Sequence, residues 1–140
     1  MRDLPIYVQL SKNISSLSIN DAGVAFILSR DICRLSTISS NGWPHVVPVG
    51  YVYLRGKFYV PTDRRAKKVR NLVKNCNATV VVDDERLEHG VMIECGSRVL
   101  EGNKAQPHRE YMRKVKRWQN DETNAVIELT PRRKASWFLK

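Results

Sequence analysis

Between Ile32 and Thr62 the chain reads "ICRLSTISSNGWPHVVPVGYVYLRGKFYVPT", and two turn signals inside that run, Asn41-Gly42 and Arg55-Gly56, leave few choices of fold. Such pairs supply the positive φ that tight hairpins need, and the flanking residues are rich in Val, Ile, Thr and Tyr. Two successive hairpins result, with three antiparallel strands near 32–40, 45–54 and 57–61. "ATVVVDD" and "VMIECGSRVLEG" read as two further strands, and "AVIELT" as a last one that Pro131 ends. Gly96 inside the fifth strand predicts a bulge or a close backbone approach.

Helical spacing punctuates the strands. Ser18 and Asp21 resemble a capping box ahead of Ile19, Ala22, Phe26 and Ile27, which predicts a helix over about 19–29. Asp63 is placed to cap a helix over about 64–75, with Val69, Leu72 and Val73 on its apolar face. Pro107 starts a basic helix to about Gln119, with Tyr111, Val115 and Trp118 on its inner face. The order is helix, three strands, helix, two strands, helix, strand. Hairpins rather than crossovers join most strands, so the expected architecture is a mainly β antiparallel barrel with helices packed outside.

A chain of 140 residues is expected to form one domain, residues 1–30 supplying an N-terminal segment and helix and 31–140 the barrel. At that length roughly 68–70% of the unfolded surface is buried, so no disulfide or metal staple is required. Cys33, Cys76 and Cys95 form no CxxC pair and read as reduced, mostly buried thiols of an intracellular protein. The longest apolar run near the N-terminus, Val24 to Leu28, is too short to span a membrane and lacks a basic flank, so a soluble cytoplasmic protein is expected. His89 and His108 have no ligand partner at i+3 or i+4, which argues against a metal site. GxSxG, Walker A and GxGxxG motifs are absent, and Asp83-Asp84-Glu85 reads as a polar strand end rather than a catalytic pair.

The net charge of +10 points to an anionic partner, and its distribution says where. In "PTDRRAKKVRNL", five of the seven residues from Arg64 to Arg70 are cations, crowded at a helix start. That end already carries the positive pole of the macrodipole and unpaired N–H groups. A solvated basic face is the plain explanation. The alternative is an anion at the helix N-terminus, to which the free N–H groups, the Thr62 hydroxyl and the ammonium groups of Lys67 and Lys68 would all donate.

The run from Arg34 to Asp84 resembles the core of the pyridoxamine 5′-phosphate oxidase-like, FMN-binding split-barrel superfamily. The shared pattern is an R-L-x-T strand, an Asn-Gly turn, "PHVVPV", an aromatic strand ending in Thr62, the "KVRNL" segment and a strand ending in acids. The resemblance extends through "GVMIECGSRVLEG" to "IELTPRRKASW", about 110 of the 140 residues. It implies a six-stranded antiparallel split β-barrel that forms a homodimer, with FMN, or alternatively a deazaflavin coenzyme, at each end of the interface. By position, Lys68 matches the phosphate-binding Lys, Lys67 the cation before it, Ala66 a small residue often Ser, and Pro61-Thr62 the strand end with its hydroxyl donor. The strand His45-Val46-Val47-Pro48 would lie along the isoalloxazine, and Trp137, with Arg132-Arg133, would reach the cofactor across the dimer or else pack on the barrel.

Three departures argue against vitamin B6 oxidation: His45 stands where the oxidase has Arg, Gly90 where it has Gln, and "TPRRKASWFLK" lacks its Arg/His motif. The resemblance therefore implies a flavin-dependent oxidoreductase acting at flavin N5 on a small molecule. A non-enzymatic flavin-binding protein and a nucleic-acid binder remain the alternatives. The latter would need interleaved basic and aromatic residues on an exposed face, whereas the aromatics of the helix near 107–119 are expected to face the core.

Overall fold

A computed structural model describes residues 9–11, 21–86, 88–118 and 124–137. Its strands are β1 (Gln9–Ser11), β2 (Ile32–Ile38), β3 (Pro44–Gly50), β4 (Val52–Leu54), β5 (Lys57–Thr62), β6 (Asn77–Asp83), β7 (Gly90–Glu101) and β8 (Ala125–Trp137). The helices are α1 (Asp21–Ser29), α2 (Lys67–Lys74) and α3 (Gln106–Lys116). Ser18, Ile19 and Gln119 lie outside the described residues.

All strand pairings are antiparallel, and the ladder runs β3-β2-β6-β7-β8-β5-β4, with β1 paired to β8. The two ends of this path, β3 and β4, follow one another in the chain, separated only by Tyr51. The sheet therefore curls until its edges meet on one bent segment without the ladder closing, which makes it a split barrel. The strand expected over 45–54 is broken here because Tyr51 turns inward. Its ring is fully buried against Phe58, edge to face at 5.5 Å, and its hydroxyl donates to the Ile27 carbonyl of α1.

Both hairpin turns use the expected chemistry. Gly42 has φ +86°, and Arg55 and Gly56 both have positive φ (52° and 81°), the signature of a type I′ turn. The barrel interior is filled by alternate residues of the strands, among them Leu35, Val60, Val80, Val82, Val91, Ile93, Ile127 and Leu129, with Leu72 and Val69 of α2 closing one end. β8 is buried on both faces, because Val126 points outward into a second cluster with Tyr59, Leu100, Ala105 and Met112 beneath α3. Also buried is Glu128, whose carboxylate faces Arg98 at 3.2 Å and Lys57 at 3.7 Å and accepts from the Tyr59 hydroxyl. A lone carboxylate there would be costly, and these partners offset its desolvation.

Pro131 does not end the last strand. β8 runs on to Trp137 because the β7–β8 register shifts at Glu94/Cys95, with Cys95 opposite Pro131 and Glu94 opposite Arg133. Arg132 is the extra residue, and a proline without an N–H is tolerated beside such a bulge. The bulge throws the Arg132 guanidinium across Gly96, where a Cβ would come within 2.5 Å of it. The irregularity therefore lies beside Gly96, at Glu94/Cys95 and Arg132, and the close approach at Gly96 itself is that of the Arg132 side chain rather than of backbone.

Two further expectations need correction. Asp63 does not cap α2: its carboxylate accepts from the Arg65 N–H at 2.7 Å and pairs with the Arg65 guanidinium, folding 63–66 into a turn and leaving Ala66 as the N-cap. In α3 the apolar face is out of phase by one position. Met112 is buried (3% exposed), whereas Tyr111 and Val115 are 37% and 51% exposed. The inward face is Ala105, His108, Arg109, Met112 and Lys116, fixed by His108 stacking on Tyr59 at 4.3 Å and by Lys116 pairing with Asp31.

Candidate functional site

The N-terminus of α2 is the unusual end in this fold. Ala66 offers no side-chain cap and the first turn holds no acid. Around it, the Ala66 N–H bonds the Asp63 carbonyl, and the Val69 and Arg70 N–H groups share the Ala66 carbonyl. Among the described residues no acceptor meets the amides of Lys67 and Lys68. Lys67 is exposed and Lys68 half-buried, and burial pushes the Lys68 ammonium down from its ordinary range, against a smaller upward pull from Asp63. Free amides, the macrodipole and two lysines in the first turn suit an anion.

Thr62, the last residue of β5, is buried, with its hydroxyl 3.4 Å from the Asp63 carbonyl. Pro61 before it is half-buried. A groove of about 380 Å3 runs along the other flank of α2, with Ser40, Arg64, Lys67 and Arg70 on its walls. The sequence-derived residues Pro61, Thr62, Ala66, Lys67 and Lys68 therefore fall on one continuous strand-turn-helix segment.

His45, Val46, Val47 and Pro48 lie on β3, an edge strand paired only with β2. One row of its backbone groups therefore faces away from the ladder, and prolines at 44 and 48 are what an edge tolerates. Val46 is exposed, while His45 is half-buried with a shielded Nδ1 that has no hydrogen-bond partner among the described residues. A buried ring nitrogen without a partner is uncommon and marks a place where a ligand group would be accommodated.

One residue of the "KVRNL" segment, given no role of its own in the sequence, fixes the relation between these segments. Asn71 of α2 is 6% exposed, and its amide donates to the Thr37 hydroxyl at 3.0 Å. Thr37 sits directly opposite His45 in the β2–β3 register. In the sequence it stands within the shared "KVRNL" segment, as an amide among the apolar positions of the helix.

Trp137 lies elsewhere. The register runs Asp83–Gly90–Trp137 at one end of β6, whereas His45 aligns through Thr37 with Ala78 at the other end, about five residues or ~16 Å away. Its indole packs on Gly90, where a Cβ would fall 2.0 Å from the ring. That accounts for the glycine at 90. Phe138 lies outside the described residues.

The acids at 83–85 are paired: Asp83 with Arg34, Glu85 with Arg30, and Asp84 with His89 at 2.7 Å. Hydrogen bonding to His89 is the main cause of the lowered Asp84 pKa. Cys33 and Cys95 are buried, and burial raises both thiols to about 12, which removes them as nucleophiles; Cys76, by contrast, is exposed. Among the described residues no helix is long and apolar enough to cross a membrane.

An open antiparallel barrel with an uncapped, doubly basic helix end beside an edge strand defines a class of fold, the split barrel. A sequence model of the pyridoxamine 5′-phosphate oxidase family matches residues 19–138, and the chain belongs to that family. Among curated proteins none matches. Solved structures share the fold. A conserved hypothetical protein from Mycobacterium tuberculosis is 22% identical, with TM-score 0.71 over 91% of this chain and 89% of that one. A pyridoxamine 5′-phosphate oxidase-related, FMN-binding protein from Nostoc punctiforme is 15% identical, with TM-score 0.66 over 83% and 82%. An F420 reductase is 13% identical, with TM-score 0.62 over 74% and 89%.

Proposed function

We propose that this protein binds FMN and works as a flavin-dependent oxidoreductase on a small molecule, as a homodimer with the cofactor at the subunit interface. The observation that carries the reading is the N-terminus of α2, uncapped and flanked by Lys67 and Lys68, in a chain of this family. These residues fit a flavin phosphate: two free amides, two ammonium groups and the Thr62 hydroxyl give a donor set with no acid in the first turn. The unpartnered Nδ1 of His45 and the free edge of β3 suit the polar rim of the ring; His45 and Val47 face one side of the strand and Val46 and Pro48 the other, so one of these pairs would supply the apolar bed.

Bound there, the flavin would supply hydride transfer at N5. The chain's own part is to hold and shield. Lys67 and Lys68 neutralise the phosphate, Asn71 keeps α2 at a fixed distance from β3, and the prolines at 44 and 48 keep the β3 edge from pairing with another strand. Trp137 stands at the opposite end of the β6 register from His45, so its contribution would come from a second copy, in which β8 of one subunit approaches β3 of the other. A deazaflavin coenzyme would use the same cradle, since its phosphate makes the same demand.

The test is a separate titration of FMN and the deazaflavin coenzyme into the apo protein, repeated with Lys67→Ala/Lys68→Ala and with sedimentation to report the dimer. Each charge-assisted bond contributes about 1.5–3 kcal/mol, so the double variant is expected to bind tenfold more weakly or worse. If an intact dimer takes up neither cofactor, the reading fails.

A second reading rests on α3. Its outer face carries exposed Tyr111 and Val115 among Lys114 and Arg117, the interleaving that nucleic-acid surfaces use. Steeply salt-dependent RNA or DNA binding without flavin uptake would favour it.

A further inference from the structure

Between α3 and the barrel lies a cleft of about 310 Å3, separate from the α2 N-terminus but sharing Pro61 and the end of β3 with it. Ile32, Pro61, Met112 and Trp118 give it apolar walls, and Arg109 and Arg113 bring two guanidinium groups. The volume is at the low end for a small-molecule site. Arg109 and Arg113 stand one turn apart and so share a helix face. Arg109 is half-buried, and among the described residues no acidic side chain pairs with it. A cation partly withdrawn from water beside apolar walls is stabilised by an anion that arrives with apolar surface of its own.

The flat wall is built deliberately. Arg117 ends α3 in the left-handed region (φ 56°), which turns the chain back so that the Trp118 indole lies on Gly50. A Cβ at position 50 would come within 3.0 Å of that ring, tighter than ordinary packing. The glycine therefore lets the indole lie against the strand as a plane rather than stand away from it.

We infer that this cleft binds a small aromatic carboxylate, with Arg109 taking the carboxylate and Trp118, Met112 and Ile32 covering the ring. Calling that ligand the substrate rests on the flavin reading above, because the cleft adjoins Pro61 and β3; the binding itself does not.

Calorimetry of the full chain with 2-naphthoate and with neutral 2-naphthalenemethanol tests it. The carboxylate is expected to bind at least tenfold tighter than the alcohol. Arg109→Ala should bring the two within about twofold, Arg109→Lys should restore part of the difference, and Trp118→Ala should weaken both ligands alike, with circular dichroism confirming that each variant is folded. Equal affinity for the two probes, no binding by the folded protein, or naphthoate binding indifferent to Arg109→Ala overturns the inference. FMN titration of the same samples separates the two ideas. Naphthoate preference without FMN binding refutes only the flavin reading, and FMN binding without naphthoate preference refutes only this one.

Discussion

Asn71 offers the sharpest test of how the site is held together. Its amide and the Thr37 hydroxyl are 3.0 Å apart, at 6% and 1% exposure, so neither has water as a substitute partner. Removing one member leaves the other buried and unsatisfied, which costs about 1–3 kcal/mol. Asn71→Leu and Thr37→Val are each expected to destabilise by that amount, while the double variant, with both polar groups gone and volume nearly kept, should be less destabilised than the sum of the singles. The coupling expected is about 1–2 kcal/mol, within the range for directly bonded pairs.

Urea denaturation at constant m-value measures all four corners of that cycle. Because Asn71 touches no proposed ligand, its loss should also weaken FMN binding through the position of α2 alone, and Thr37→Val should weaken it in parallel. Coupling under about 0.5 kcal/mol, the level of independent sites, would refute the claim that this bond docks α2 on β2.

Gly90→Ala must push the Trp137 indole off its seat, since the new Cβ would lie 2.0 Å from the ring; a red-shifted tryptophan emission and a loss of about 1–3 kcal/mol are expected, and an unshifted spectrum would contradict the contact. In the native protein one thiol of three should react promptly with a disulfide reagent, that of Cys76, and all three after unfolding. Alkaline pH should destabilise the fold: the buried Cys33 and Cys95 thiols have folded pKa values raised to about 12 from 9.0, so their contribution is complete below pH 9 and is lost as pH rises toward 12. Thermal melts of a Cys33→Ala/Cys95→Ala variant should show a shallower loss over that window.

The barrel was legible because its turns are specified locally. Asn41-Gly42 and Arg55-Gly56 need no tertiary context to set strand boundaries, and the six strands expected correspond to β2, the β3–β4 segment, β5, β6, β7 and β8. What local rules missed was decided by contacts distant in sequence. The break at Tyr51 depends on a pocket formed by Ile27 and Phe58, and the phase of α3 on Tyr59 and Asp31. Periodicity alone gives a helix an apolar stripe to within about one residue, and in α3 the buried stripe is the one through Met112 rather than through Tyr111 and Val115. Of the candidate site, the basic strand-turn-helix segment could be read directly. The cleft under α3 could not, because Gly50 and Trp118 meet only through the left-handed turn at Arg117.

The places where this chain breaks local rules are the places where ligands would bind. A helix that begins on Ala66 with Lys67 and Lys68 sacrifices both a cap and a favourable dipole interaction, although Asp63 stood three residues away to supply them. Asp63 turns to Arg65 instead, which holds the carboxylate at about 2 and keeps it ionised but directed away from the α2 amides. A carboxylate on those amides would compete with any phosphate, so under the proposed function the poor cap leaves them free for one. The same reasoning applies to His45, whose unpartnered ring nitrogen has no structural benefit, and to Arg109, which a neighbouring acid would stabilise at the expense of an empty cleft. Local defects that a single substitution would repair, grouped on two sides of Pro61, are more economically explained by ligands than by independent lapses in packing.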